Sequence, residues 1–473
     1  MKHILVAALL ALSISCSSKI SPDLAGRVHP LDFNTPYRAA DYVFLKDAVG
    51  ARSIVQLGES IHVTSEFPRA RLRLIQYLHE EMGFDVLAFE GSLIDTWLAQ
   101  EFIYRSKRNQ PDTAAQSMRI AFFGLWQTDP MREVLEYVVR TQSTPHPLYL
   151  SDFDIQPGMS RANRGAAASL GAFLEALRVY DPSASAAELD SWKTTLGPAL
   201  NCDASAAGAE LPVPLNAWID KTASTVAAQR PVMHAEALRL VPSFIRARLA
   251  HCQTVREANG SRRVYQAERD RWNAVNAIEL QSHVSQTHRI LLWAHHSHVN
   301  HNATGKNTPS MGQHLLAVAP NSLYTIGLFA GGGSAYDAFQ LDQPGILGFF
   351  PKPLRAIGDY GVESSLARAS DRDFFADFTA PGKLPDEWLR PSFGRAETSQ
   401  KMPLILARDF HAAVFIQKVH PASLRLFPAW LSLLFTLGGF LMHPFVLGFI
   451  AALIVLKLGI WISRRRRRKP RTS

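Results

Sequence analysis

Glu59 and His62, Glu90, Asp152 and Asp154, and His295, His296 and His298 each follow closely on a short apolar run of the chain. An imidazole beside a carboxylate makes a general base, because the acid fixes the tautomer of the ring and raises its basicity. Arg71 and Arg269 add cations that can steady an oxyanion or hold a carboxylate. The same residue types also ligate zinc, so Glu59, His62, Glu90, His295 and His298 form an alternative donor set for a metal-dependent hydrolase. Neither Glu59-x-x-His62 nor His295-x-x-His298 has the zinc-protease spacing, and the thiolates of a structural zinc site are missing. A nucleophilic Ser has no Gly-x-Ser-x-Gly turn to start from, and there is no P-loop or dinucleotide fingerprint. Gly331-Gly332-Gly333 lacks a following Lys and reads as a plain loop.

The apolar runs read as strands. Residues 53–57 (SIVQL) are a short buried strand closed by Gly58. Phe67, Ala70, Leu74, Ile75, Leu78 and Met82 then recur at helical spacing, Gly83 ends the helix, and residues 86–89 form a second strand. Strand, helix, strand is a βαβ unit and calls for a parallel pair. Further strands are expected at residues 147–150, 289–294, 323–329 and 413–416, with an Ala-rich helical stretch over about 160–285. The fold class is therefore α/β: one domain over about 30–420, with a central, mostly parallel sheet flanked by helices and a long helical insertion. Ligands of open parallel sheets bind beyond the carboxyl ends of the strands, so the acids and imidazoles at four strand ends are expected to converge. Any one of them alone could be no more than a helix cap.

The run Gly58-Glu59-Ser60-Ile61-His62, with Glu66-Phe67 and Arg71, resembles the erythromycin esterase family. The resemblance continues through Gly83-Phe84, Glu90, Phe153-Asp154-Ile155-Gln156 and Arg269-Asp270. It resumes at Trp293-Ala294-His295-His296-Ser297-His298, passes through Met311-Gly312-Gln313-His314-Leu315, and ends near Ala413-Val414-Phe415-Ile416. It covers about residues 50–417 and implies metal-independent hydrolysis of a lactone or ester by activated water, with no cofactor. Carried over by position, His62 is the implied base, and Glu59 and Glu90 orient it or the water. Arg71, His295 and His298 are implied to line the cleft and stabilise charge on the carbonyl oxygen. Arg269, Asp154, Gln313 and His314 are implied substrate-binding residues. An unperturbed imidazole would make activity rise at about pH 6 to 7. His296 and Ser297 stand where the family commonly has amide or small residues, and its drug-inactivating members largely lack the tail seen here. The expected partner is a small ester or lactone, with a macrolide as one candidate. A binding protein that keeps the cleft without turnover is the reading from another class.

The ends give an address. The chain has 473 residues, is 47% hydrophobic and 19% charged, and has a formal net charge of +9. That composition excludes a mainly disordered chain. Lys457, five Arg at 464–468, Lys469 and Arg471 supply eight of the positive charges and Lys2 the ninth, so residues 3–456 carry no net charge. This removes the global electrostatic reason to bind nucleic acid. Residues 1–16 (MKHILVAALLALSISC) have the pattern of a secretory signal, and Ser13-Ile14-Ser15-Cys16 resembles a bacterial lipobox. Residues 426–456 carry no charge, more than the roughly 20 residues a bilayer span needs. A transmembrane helix is expected over 430–462, followed by a basic cytoplasmic tail at 463–473. The body then lies outside the cytoplasm of a bacterium, held in the lipid bilayer of the cell envelope. In that oxidising compartment Cys202 and Cys252 can pair or remain separate buried thiols.

Overall fold

The computed structural model describes residues 24–424, except 25, 107–111, 159, 161, 163–164, 303–307, 339–350, 357 and 359–360. The expected signal segment with Cys16, the membrane segment at 430–462 and the basic tail lie outside these residues. Among the described residues no helix is long and apolar enough to cross a membrane.

The strands are β1 (Val28–Pro30), β2 (Ile54–Glu59), β3 (Val86–Ser92), β4 (Tyr149–Asp154), β5 (Ile290–His295), β6 (Leu323–Ala335), β7 (Lys352–Pro353), β8 (Phe374–Asp377), β9 (Ser392–Ala396), β10 (Gln400–Leu404) and β11 (Ala412–Val419). The main sheet has the order β1-β8-β11-β6-β2-β5-β3-β4, with β7 paired to β6. From β11 to β4 every neighbouring pair is parallel, whereas β8 and β1 extend the β11 edge antiparallel. β9 and β10 form a separate antiparallel hairpin.

The central strands read as unbroken apolar runs because both faces of the sheet are covered. Val55 and Leu57, Leu87 and Phe89, and Leu291 and Trp293 pack into one core. Ile54, Val86, Ala88, Ile290 and Leu292, at the alternate positions, pack into the other. The Glu66–Glu80 helix buries Phe67, Ala70, Leu74, Ile75 and Leu78 in the first core and carries the chain from β2 to β3. Met311 and Leu315, on the Met311–Val318 helix between β5 and β6, pack into the second. The chain thus leaves β2 and β5 in opposite directions over opposite faces, the arrangement that opens a crevice at the strand ends. Helices Ala166–Arg178, Ala186–Leu200, Val213–Ala227, Val232–Glu257 and Arg262–Glu279 fill the interval between β4 and β5. Cys202 and Cys252 are joined in a disulfide within it, their Cα atoms 5.0 Å apart.

Two local readings change. Asp152 and Asp154 lie within β4, not beyond it. Gly331–Gly333 are not a plain loop but part of the long β6, beside β11. Gly333 has φ +111°, and a Cβ there would lie 1.9 Å from the Val419 carbonyl oxygen, so only glycine lets the two strands approach.

Candidate active site

The carboxyl ends of β2, β5, β3 and β4 lie side by side and carry Glu59, His295, Glu90 and Asp154. Gly58 makes room for this corner: a Cβ there would come within 2.6 Å of Val299 and 2.8 Å of the His296 ring, which pack against β2. Glu59 turns one oxygen to His62 Nδ1 at 2.5 Å and the other to the Arg71 guanidinium at 2.7 Å. That leaves His62 Nε2 facing the cleft, 3.7 Å from Glu397 Oε1. His295 stacks obliquely on His62 with ring centroids 4.9 Å apart, and its Nε2 lies 3.6 Å from the same Glu397 oxygen. His295 Nδ1 accepts from the Ser297 backbone N–H at 3.1 Å, which puts the proton of the neutral ring on Nε2, pointing into the cleft. Among the described residues that Nε2 is buried without an assigned hydrogen-bond partner.

A second cluster lies deeper. Arg269, from the Arg262–Glu279 helix, pairs with Asp154 and with Glu90 Oε1 at 2.7 Å, and its Nη1 lies 3.4 Å from His298 Nε2. His298 Nδ1 is bonded to Asp270, and its Nε2 is 3.1 Å from Glu90 Oε1. The remaining Glu90 oxygen accepts the His295 backbone N–H at 3.1 Å.

The charges follow from this wiring. Burial works against a charged His62, but the carboxylates of Glu397, Glu59 and Glu90 outweigh it and push its pKa up to about 9. Burial pushes the Glu397 carboxyl up to about 7 although His62 pulls the other way, so the two groups share protons near neutral pH. Burial and the neighbouring His62 hold His295 well below the ordinary imidazole range, hence neutral. His298 is raised to about 10: burial opposes the charge, and Asp270 and Glu90 overcome it. Glu90 is held ionised, well below the usual carboxylate range, by His298 and Arg269 in spite of its burial. A neutral His62 is therefore expected to become available only above the pH of about 6 to 7 of an unperturbed imidazole.

Of the residues expected here, His62, Glu59, His295, Glu90, His298, Arg269 and Asp154 form one connected group. Four others are placed differently. Arg71 is 0% exposed and cannot line the cleft. It lies behind Glu59, donates to the carbonyl oxygens of Leu57 (2.8 Å) and Ala294 (3.1 Å), and covers the Trp293 ring at 4.1 Å. Its reach from a helix behind the sheet makes it a brace for Glu59, not an oxyanion donor. Gln313 is turned to the Asn302 amide at 3.1 Å, and the half-buried His314 sits near the Arg262–Glu279 helix. Among the described residues neither Gln313 nor His314 has a hydrogen bond or ion pair to the clustered groups. His296 is buried between Phe329 and Phe410, with ring centroids 4.6 and 4.9 Å away.

Glu397 escaped the sequence reading altogether. It stands at the β9–β10 turn with φ +65°, its N–H donating to the Ser60 carbonyl at 2.7 Å and its Oε1 accepting the His62 N–H at 3.1 Å. No strand-end or helical pattern marks it; a polar hairpin tip is the only local signal. Its carboxylate joins His62 and His295 in a set whose ligand atoms lie within 4.8 Å of one another, a donor combination that suits a divalent cation. The larger set proposed from sequence for a metal does not assemble, because Glu59, Glu90 and His298 direct their polar atoms to Arg71, Arg269 and Asp270. A cavity of about 720 Å³ lined by Phe84, Tyr137, Pro147, Met233 and Thr287 opens at the opposite end of the sheet and contains none of these groups.

Comparison with known proteins adds an independent line. The profile of the family described as "Erythromycin esterase" matches residues 79–419. That stretch holds Glu90, Asp154, Arg269, His295, His298 and Glu397, and starts after Glu59, His62 and Arg71. YbfO of Bacillus subtilis (strain 168), named as a proposed hydrolase, is 24% identical over 411 residues, covering 81% of this chain and 87% of the relative. A solved structure of a succinoglycan biosynthesis protein superposes with a TM-score of 0.60 at 17% identity, over 85% of this chain and 96% of that one. The erythromycin esterase EreC in its open conformation, as a His-to-Asn variant, gives 0.57 at 19% identity, over 84% and 98%. At such identities the structural likeness speaks for the fold alone.

Proposed function

The chain belongs to the erythromycin esterase family, and from that membership we propose that it is a hydrolase cleaving an ester or lactone with water activated at His62. The observation that carries this reading is the convergence of His62 Nε2, His295 Nε2 and Glu397 Oε1 on one point of the crevice, backed by the Glu59–His62 pair. With its Nδ1–H donated to Glu59, neutral His62 presents the Nε2 lone pair and takes a proton from water as the water oxygen bonds to the carbonyl carbon. The His295 Nε2–H, to which no hydrogen-bond partner is assigned among the described residues, donates to the carbonyl oxygen as negative charge develops there. When the carbon–oxygen bond to the leaving group breaks, the imidazolium returns the proton to the departing alkoxide. Glu397 stabilises the imidazolium in between.

The body is proposed to work outside the cytoplasm, tethered by residues 430–462. The secretory pattern at 1–16 and the Cys202–Cys252 disulfide support that placement. A second reading uses the same three side chains around a divalent cation. One experiment separates the two: the purified full chain is assayed against a panel of esters and lactones that includes macrolides, before and after exhaustive chelation. Hydrolysis that survives chelation and disappears in His62→Ala supports the His base. Hydrolysis lost on chelation and restored by zinc supports the cation. Saturable binding without product from any member of the panel overturns both.

A further inference from the structure

The described chain ends at the mouth of the crevice. β11 runs parallel to β6, and β6 to β2, so Val419 emerges at the same end of the sheet as His62 and His295. The next residues do not leave the fold but are stitched along the rim. The His420 carbonyl accepts from the Ser65 N–H at 2.8 Å, the Pro421 carbonyl from Ser65 Oγ at 3.0 Å, and the Ala422 N–H donates to Val63 at 3.1 Å. The Ser423 carbonyl accepts from the Asp129 N–H at 3.0 Å, and Leu424 bridges Thr128. Residues 63–65 directly follow His62. Thr128 is two residues from Trp126, whose ring lies 6.5 Å from that of His62. Val63, Ala338 and Ala422 form a small apolar cluster here, with the half-buried Leu125, Tyr336 and Leu424 around it.

Beyond Leu424 the sequence is Arg425 and then residues 426–456 without a charge. As a helix that run would measure about 46 Å, against a bilayer core of about 30 Å. From Leu424 to residue 430 even a fully extended chain covers only about 20 Å, whereas a body of this size is on the order of 50 Å across. A tether that short, fixed at the rim, cannot present the far side of the body to the membrane.

We propose that the crevice mouth rests against the bilayer surface and that the substrate is an amphiphilic ester or lactone whose apolar part resides in the membrane. The chemistry rests on the hydrolase reading above, and the docking surface rests separately on the proposed tether at 430–462. The test places the full chain in phosphatidylcholine vesicles with a fluorescent amino acid at Leu125, on the rim, or at exposed Thr287, beyond the opposite end of the sheet. Lipids bearing a headgroup nitroxide are expected to quench the label at position 125 several-fold more than the label at position 287. Equal quenching, stronger quenching at 287, or a chain that does not sediment with vesicles overturns the proposal. In parallel, hydrolysis of a long-chain ester embedded in the same vesicles is compared with that of its water-soluble short-chain analogue. A flexible spacer of about 30 Gly and Ser residues inserted after Leu424 should lower the rate on the embedded ester about tenfold and leave the soluble ester unaffected; equal rates on the embedded ester count against the substrate class. Quenching at the rim with neither ester cleaved would defeat the hydrolase reading and leave the surface standing. Cleavage of the soluble ester without quenching at the rim would do the reverse.

Discussion

Two groups of charge meet at the same end of the sheet, and they differ in how completely their atoms are bonded. Around Arg269, the acids Asp154 and Glu90 and the Asp270–His298 pair engage nearly every polar atom among themselves. Around His62, the Glu59 carboxylate is fixed from behind by Arg71, yet among the described residues His295 Nε2 and one Glu397 oxygen are buried without hydrogen-bond partners. A fully bonded cluster has nothing to offer an incoming molecule without first losing what it holds. An incompletely bonded one gains by binding. The first cluster therefore frames the crevice, and the second is where a carbonyl and a water have something to meet.

Substitutions can break or sharpen that contrast. The largest effect is expected from His62→Ala: a loss of about 10²- to 10⁴-fold in kcat with a smaller loss of stability than at Arg269, since Arg71 still holds the Glu59 carboxylate when the imidazole is gone. A comparable loss of stability would erase the distinction between the clusters. Next, Arg269→Met strands two buried carboxylates and should cost about 3 to 5 kcal/mol in denaturant unfolding. If the protein were as stable as the parent, the frame would not be a frame.

The pH profile sharpens the comparison further. Because the proposed base must be neutral and His62 is raised to about 9, kcat/KM should climb from pH 6 towards pH 9 and fall away as pH drops below that value. Glu397→Gln removes a carboxylate that raises His62 and should move the rising limb down by about one pH unit. An unmoved limb would exclude Glu397 from the proton-sharing pair. The smallest effect is expected at Ser297. Ser297→Ala removes the hydroxyl 2.9 Å from His295 Nδ1 but leaves the backbone N–H that sets the tautomer, so kcat should fall by roughly threefold or less. A much larger fall would assign the tautomer to the hydroxyl instead.

Much of the site was legible because its residues stand where local patterns end. A buried parallel strand is a short apolar run, and the polar residue that closes it sits at the ligand-binding edge whatever the rest of the chain does. Glu59, Glu90, Asp154 and His295 were found on that logic. Roles were harder than positions. Arg71 looked available from its place on an amphipathic helix, but nothing in that spacing says that the side chain passes behind a strand to reach Glu59. Glu397 was invisible, because it is 335 residues from His62 and reaches the site through one hairpin turn. The short edge strands β1 and β8, of three and four residues, had too little pattern to read. Gly331–Gly333 looked like a loop because the close approach that needs glycine comes from β11, far along the chain.

The buried Arg71 has a mechanical side. Its guanidinium grips the backbone of β2 at Leu57 and of β5 at Ala294 while holding Glu59, and so acts as a tie rod across two strands at the point where their side chains diverge. The spacing between the two imidazoles is thereby tied to the sheet, since His295 closes β5 and His62, three residues beyond β2, is held to that strand through Glu59. The third corner, Glu397, hangs from a hairpin outside the main sheet. The site has two rigid corners and one supported from elsewhere, and a change in the hairpin alters the triangle without touching its base.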